Sequence, residues 1–284
     1  MIRLDAATVL LQWATGGLLF LWVTSRRREV GIGYGWLLRG TYLALALGSL
    51  AAASAIGFVP VRDLAAAGVA TATAVALVVS VARRRAGVSR GNAMASARSA
   101  RVAAMTGIER VVPERDDGAV EFPPWLDLVA PLVGAVGLVA GALDAGGDGW
   151  LSLLRTFSGA VFLGAVTDAM LLGHWYLVQP GMSRAPLLEL VRWTALVWPV
   201  EVVSLLLPTG MLSVWSGAID DGYNGMLGWF WGACAVGTIV LCVVTRAALR
   251  ERYYSAVMAA TGLLYLAILT AFGTDLVARA VLAG

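Results

Sequence analysis

The sequence predicts an all-α integral membrane protein with about eight transmembrane helices. Of its 284 residues, 59% are hydrophobic and 14% are charged, whereas soluble domains are about half apolar and about a quarter charged. Helices that are apolar on every side need lipid around them. Apolar segments of about 20 residues, the length that crosses a bilayer, recur along the chain. Arginines collect in alternate connections between these segments.

The first apolar segment is expected to be a retained span and not a cleaved signal peptide. A single arginine, Arg3, precedes it, and no small-residue cleavage site follows it. The predicted spans are 6–25, 41–59, 64–82, 125–145, 156–178, 187–211, 225–245 and 254–277. They divide the chain into 1–83 with three spans, a loop at 84–124, a fourth span at 125–145, and 156–284 with four spans.

The arginine distribution predicts the orientation. All 21 basic residues are arginine. Sixteen fall in or beside loops on one side of the predicted spans and four on the other, which by the positive-inside rule makes the richer side cytoplasmic. Both termini are then extracytoplasmic. We expect the chain to lie in a bacterial cytoplasmic membrane.

The loop at 84–124 is the longest connection and has two interpretations. Its first half interleaves arginine with apolar residues such as Met94 and Val102. It is either an amphipathic helix on the inner leaflet or a solvated linker.

A weak internal repeat predicts two parallel four-helix halves. Shifting the chain by 153 residues pairs Trp22 with Trp175 and Arg39 with Arg192. A second block pairs residues 78–80 with residues 243–245. An even number of spans per copy keeps both copies in the same orientation.

Two carboxylates in the second half are the expected proton or charge relay. Charged groups inside a span are costly and so need a reason to be there. Asp168 lies in the middle of the predicted fifth span, and Glu201 lies near the middle of the sixth. A short loop makes these spans antiparallel neighbours, so we expect the two side chains within about 5 Å of the same depth.

Four residues near the cytoplasmic ends of the same spans are candidate ligand contacts. They are His174, Trp175, Glu189 and Arg192. Together they would suit a quinone headgroup, which needs donors and a flat apolar wall. The structural alternatives are an aromatic belt that includes Trp175, a Glu189–Arg192 ion pair between i and i+3, and a His174 that only bonds a neighbouring helix.

Several chemistries are excluded by composition. One histidine cannot form a bis-histidine haem site, and the two cysteines lack metal-ligand spacing, so no metal is predicted. Without lysine there is no phosphate-binding loop. No nucleic-acid partner is expected, because the arginines flank membrane spans.

The eight-span layout resembles the membrane anchors of polysulfide- and dimethyl-sulfoxide-reductase-type complexes, which bind quinol. This resemblance is one of architecture and transfers no residue roles. It implies a quinone- or proton-handling subunit with protein partners. The alternatives are a small-solute or ion transporter that uses intramembrane carboxylates, and a structural or assembly protein. Whether the chain is an enzyme is left open.

Overall fold

The computed structural model describes residues 4–86, 119–179, 182–251, 253–283 and scattered positions from 88 to 107, and all regular secondary structure among them is helical. The helices are α1 (Ala6–Ser25), α2 (Ile32–Ile56), α3 (Pro60–Ala82), α4 (Val129–Asp144), α5 (Gly149–Val178), α6 (Ala185–Leu206), α7 (Gly210–Trp215), α8 (Met226–Ala248) and α9 (Tyr254–Leu282). A 3₁₀ turn, Pro124–Leu128, leads into α4.

Seven of the described helices are long and apolar enough to cross a membrane: α1, α2, α3, α4 with its 3₁₀ turn, α5, α8 and α9. The remaining long helix, α6, has 22 residues but carries Glu189, Arg192 and Glu201. The prediction of an all-helical chain is therefore confirmed for the described residues, and seven apolar helices are consistent with a helical membrane protein. The predicted span 187–211 is not among the seven.

Polar residues fix where two of the central helices begin. Asp5 caps α1 by accepting hydrogen bonds from the backbone N–H groups of Ala7 and Thr8, at 3.3 and 3.1 Å. Asp148 caps α5 in the same way through Trp150, at 3.1 Å. Because of this cap, α5 begins at Gly149 and not at residue 156 as predicted, and it is 30 residues long.

Contacts between loops place the arginine-rich connections at one end of the bundle, which we call the basic end. It comprises residues 26–31, 83–86, 119–128, 182–184, 249–251 and 253. Arg26 at the end of α1 contacts Glu189 near the start of α6, at 2.7 Å. Arg184 donates to the carbonyl of Leu249 at the end of α8, at 3.1 Å. Residues 84–86 and 119–124 of the loop predicted at 84–124 belong to this end. The segment for which an amphipathic helix or a solvated linker was predicted lies mostly outside the described residues.

The long helices form two groups with the same order of neighbours. In the first half α1 packs on α2, α2 on α3, α3 on α4, and α4 on α1. In the second half α5, α6, α8 and α9 follow the same cycle. The packing fits the predicted four-helix halves, while the sequence repeat itself stays a prediction.

The two halves meet where α1 crosses α5. A Cβ atom added at Gly16 would lie 1.8 Å from the carbonyl oxygen of Ala160, and one added at Gly164 would lie 2.2 Å from the backbone of Gly16. Glycine is therefore needed on both helices, and the two backbones touch, as in small-residue packing in membranes. This crossing brings polar side chains of α1 into the second half.

Candidate functional site

A pair of carboxylates on α6 and α9 is buried between the helices of the second half. Glu201 and Asp275 are both fully buried. Their carboxyl groups are close enough to interact with each other. Each keeps one oxygen, Glu201 Oε1 and Asp275 Oδ1, without a hydrogen-bond partner among the described residues. Two adjacent buried anions repel strongly, so the contact favours a proton shared between them.

The other oxygens of the pair are fixed by neighbouring helices. Glu201 Oε2 accepts a hydrogen bond from the Ser158 hydroxyl of α5, at 2.6 Å. Asp275 Oδ2 accepts one from Arg279 Nε, one turn further along α9, at 2.8 Å. Arg279 Nη2 in turn donates to Gln12 Oε1 of α1, at 2.6 Å. Four helices thus hold the pair in place.

Gly159 provides the space that the cluster occupies. A Cβ atom at this position would lie 2.4 Å from Gln12 Nε2 and 2.7 Å from Asp275 Oδ1. Any larger residue would displace either the amide or the carboxylate. Gly159 therefore makes room for polar side chains.

A second arginine, Arg155, supplies positive charge beside Glu201. The two side chains interact electrostatically. Arg155 also donates from Nε to the Ser204 carbonyl, at 3.0 Å, and from Nη2 to the Leu207 carbonyl, which are acceptors left free where α6 ends. The cluster therefore contains two arginines and two carboxylates, and it is neutral without a bound proton and singly positive with one.

Asp168 has a separate buried environment near the middle of the bundle. Its Oδ1 accepts a hydrogen bond from the Tyr42 hydroxyl, and its backbone carbonyl accepts one from Tyr34, at 3.2 Å. Its Oδ2 has no hydrogen-bond partner among the described residues. Asp168 is therefore a third buried carboxylate with an oxygen that lacks a partner among the described residues, and it faces α2 across the edge of α1.

The structure does not bring Asp168 and Glu201 to one depth. Glu201 contacts Ser158, which precedes Asp168 by ten residues, or about 15 Å along α5. Our expectation of a shared layer is wrong because α5 begins earlier than predicted and α6 ends at Leu206, so neither carboxylate lies at its helix midpoint.

His174 and Trp175 face different neighbours. His174 Nδ1 is 3.1 Å from the hydroxyl of Tyr265 on α9, in an exposed position. Trp175 donates to Gln179, at 3.2 Å, and lies near Tyr34 of α2, with 6.3 Å between ring centroids. Since successive residues of a helix point about 100° apart, these two side chains diverge.

Glu189 and Arg192 do not form the ion pair that was the structural alternative to a ligand contact. Glu189 is instead bonded by Arg26 and Arg27 of the α1–α2 connection, at 2.7 and 3.0 Å. The α1–α2 connection therefore packs against the start of α6, where both of its arginines form ion pairs with Glu189. Arg192 lines an open groove beside them.

The four residues expected at a quinone headgroup therefore do not line one cavity. His174 turns to α9, Trp175 to α2, and Glu189 and Arg192 to the groove. An apolar cavity of about 180 Å³ between α1, α4 and α5 has Thr15 as a polar lining residue. A quinone needs a donor at each carbonyl, so the residues of this cavity do not fit one.

Sequence reasoning missed Gln12, Tyr42, Arg155, Asp275 and Arg279. It placed Arg155 and Arg279 in outer loops, whereas both lie buried in helices. The spacing of Asp275 and Arg279, four residues apart on one helix face, was a signal that could have found the second carboxylate. No feature of the sequence indicated that Gln12 contacts Arg279.

No protein family, curated protein or solved structure matches this chain. Its function must therefore be argued from the buried polar groups themselves.

Proposed function

We propose that this chain is a multipass membrane protein that binds and transfers protons at the Glu201–Asp275 pair. The observation that carries the proposal is the contact between two fully buried carboxylates, each with one oxygen unpartnered among the described residues. A proton between these oxygens gives both a hydrogen bond. Its loss leaves a neutral cluster, because Arg279 and Arg155 balance the two anions.

The proposal includes eight membrane crossings, with α6 as the eighth. The apolar residues Leu196, Val200 and Val203 of α6 are exposed, as a lipid-facing surface requires, while Glu201 points inward. We further propose a bacterial cytoplasmic membrane with the basic end on the cytoplasmic side. The loops described at the opposite end contain no arginine, which favours this orientation.

Proton binding serves two of the functions considered. In a transporter, protonation of the pair would be coupled to movement of an ion or small solute. In a subunit of a membrane complex, the pair would pass protons to or from a partner protein. The separation of Asp168 from the pair along α5 favours a path with at least two proton-binding positions, which both functions can use.

Infrared spectroscopy tests proton binding directly, because a protonated carboxyl has a carbonyl band that a carboxylate lacks. Asp168 is a further buried carboxyl, so the measurement is made in an Asp168→Asn background. We expect the band there at neutral pH, and its loss when either Glu201→Gln or Asp275→Asn is added. The control, Glu121→Gln, changes a carboxylate that is ion-paired to Arg28 at the basic end and should leave the band intact. A band that survives both substitutions would refute the shared proton.

Proteoliposomes separate the two functions. A pH-sensitive dye inside the vesicles reports proton movement driven by a membrane potential. If the pair carries that movement, we expect Glu201→Gln to slow it about 100-fold, the usual size of a lost proton-transfer group. Proton binding without proton movement in the purified protein would instead favour a subunit that needs its partner.

A further inference from the structure

An open groove of about 620 Å³ lies at the basic end, between α6, α8 and the connection that follows α1. Its charged and aromatic lining consists of Arg27, Glu189, Arg192, Trp193, Arg246 and Arg250. The apolar side chains of Leu188 and Leu196 continue it along α6. None of the residues that line the groove belongs to the cluster around Glu201 and Asp275.

The groove carries excess positive charge. Its carboxylate, Glu189, is already engaged by Arg26 and Arg27. Within the described part of the chain, Arg192, Arg246 and Arg250 make no ion pair or hydrogen bond. Three neighbouring guanidinium groups without counter-ions repel one another, so an anion bound among them would be stabilised.

In the first half of the molecule, the arginine that corresponds to Arg192 is paired with a carboxylate. Under the 153-residue shift Arg192 corresponds to Arg39. Arg39 is buried and makes two 2.8 Å hydrogen bonds to the carboxylate of Asp127. No described carboxylate forms an ion pair with Arg192. In the second half, an anion from outside the described chain could therefore take the position that Asp127 has in the first half.

We propose that this groove binds the phosphate of an anionic phospholipid. Arginine matches the geometry of phosphate oxygens by donating two parallel hydrogen bonds. Basic pockets between transmembrane helices commonly hold anionic headgroups. The apolar surface that leads away from the groove suits acyl chains, because Leu196 and Val200 of α6 and Val243 of α8 are exposed. A soluble phosphate would gain nothing from that surface.

Native mass spectrometry of the full chain in an uncharged detergent tests the proposal. Phosphatidylglycerol and phosphatidylcholine with identical acyl chains are titrated separately, and inorganic phosphate is added as a competitor. We expect saturable binding of phosphatidylglycerol that phosphatidylcholine does not match. Arg192→Gln combined with Arg250→Gln should weaken it roughly thirtyfold, since each arginine near anionic lipid contributes about a fivefold step.

The matched control is Arg84→Gln combined with Arg85→Gln, which removes the same charge from exposed arginines at the same end of the bundle. This control should bind phosphatidylglycerol as the wild type does. Equal weakening by both double substitutions would show that net charge alone attracts the lipid and would overturn the proposal. Displacement of the lipid by low millimolar inorganic phosphate would also overturn it, in favour of a soluble phosphate ligand.

Discussion

Tyr42 of α2 donates a hydrogen bond to the buried carboxylate of Asp168 on α5 across the face of α1 that Gly17 leaves open. A Cβ atom at Gly17 would lie 1.9 Å from Tyr42 Cζ. One glycine therefore makes room for the hydrogen bond to Asp168 Oδ1, the only one that the described side chains donate to this oxygen. Because Gly17 has no side chain, α1, α2 and α5 pack closely enough for this hydrogen bond to form.

Gly17→Ala should force the Tyr42 ring away from α1 and break its bond to Asp168. Overpacking of this kind costs about 1–3 kcal/mol of unfolding free energy. Gly40→Ala is the matched control, because it changes a helical glycine of α2 with nothing within 4 Å of the added Cβ. Denaturant titration in mixed micelles should show loss of stability for the first and none for the second. Equal effects would mean that the Gly17 contact has no energetic importance.

Tyr42→Phe should leave both side-chain oxygens of Asp168 without a partner. An unsatisfied buried polar group costs about 1–3 kcal/mol. Tyr34→Phe is the comparison, because Tyr34 donates to the backbone carbonyl of Asp168 and not to its carboxylate. We expect the Tyr42 variant to be the less stable of the two in the same micelle titration. The reverse order would contradict the importance of the Asp168 side chain.

Arg39→Gln should be strongly destabilising, by about 3–5 kcal/mol, because it leaves Asp127 buried without its cation. The side chains of Arg39 and Asp127 are 3% and 1% exposed. The Arg28–Glu121 pair is the control, since its side chains are 44% and 22% exposed at 2.9 Å. Arg28→Gln should cost less than about 1 kcal/mol. A double variant, Arg39→Leu with Asp127→Leu, should recover much of the loss, and its failure to do so would indicate a further role for the pair.

Acidic pH should destabilise the folded conformation of the loop that joins α7 and α8. Desolvation raises the pKa of Asp221, but hydrogen bonds from the backbone N–H groups of Gly225, Tyr223 and Leu227 outweigh it, so the pKa lies below its ordinary value of 3.8. A lowered pKa in the folded state stabilises that state above the ordinary pKa, and the contribution is lost as the pH falls through the folded value.

The test compares the melting temperature of the wild type with that of Asp221→Asn across acidic pH. The wild type should melt higher at pH 6, and the difference should shrink as the pH falls below 3.8. Asp220→Asn is the control, because Asp220 accepts one backbone hydrogen bond, from Gly222 at 2.9 Å. A difference that does not change with pH would refute the role of the Asp221 charge.

The membrane-spanning helices were predictable because lipid imposes a length and an apolar composition that the sequence displays. The predicted span 6–25 coincides with Ala6–Ser25. Errors arose where helices carry charge. Arg155 lies in the second turn of α5, and its positive charge suggested a loop there, whereas in the structure it is buried and bonds to carbonyls at the end of α6.

The partners of the buried carboxylates were not predictable in the same way. Helix periodicity reports which residues share a face of one helix, but not which helix that face meets. Asp168 and Glu201 were recognised because a lone charge in an apolar segment is conspicuous. The Gln12–Arg279 hydrogen bond joins the first helix to the last, and no local pattern records such a contact.

Because α1 lies between the two halves, it belongs to both of them. Gln12 bonds to Arg279, Trp13 donates to Thr167 at 2.9 Å and packs on Phe272, and these partners all lie in the second half. Cutting the chain in the connection between α4 and α5 would therefore not yield two self-sufficient bundles. In the downstream fragment, the helix surface that packs on α1 would be uncovered, and Arg279 would lack its hydrogen bond to Gln12. This fragment would therefore depend on the upstream fragment for assembly.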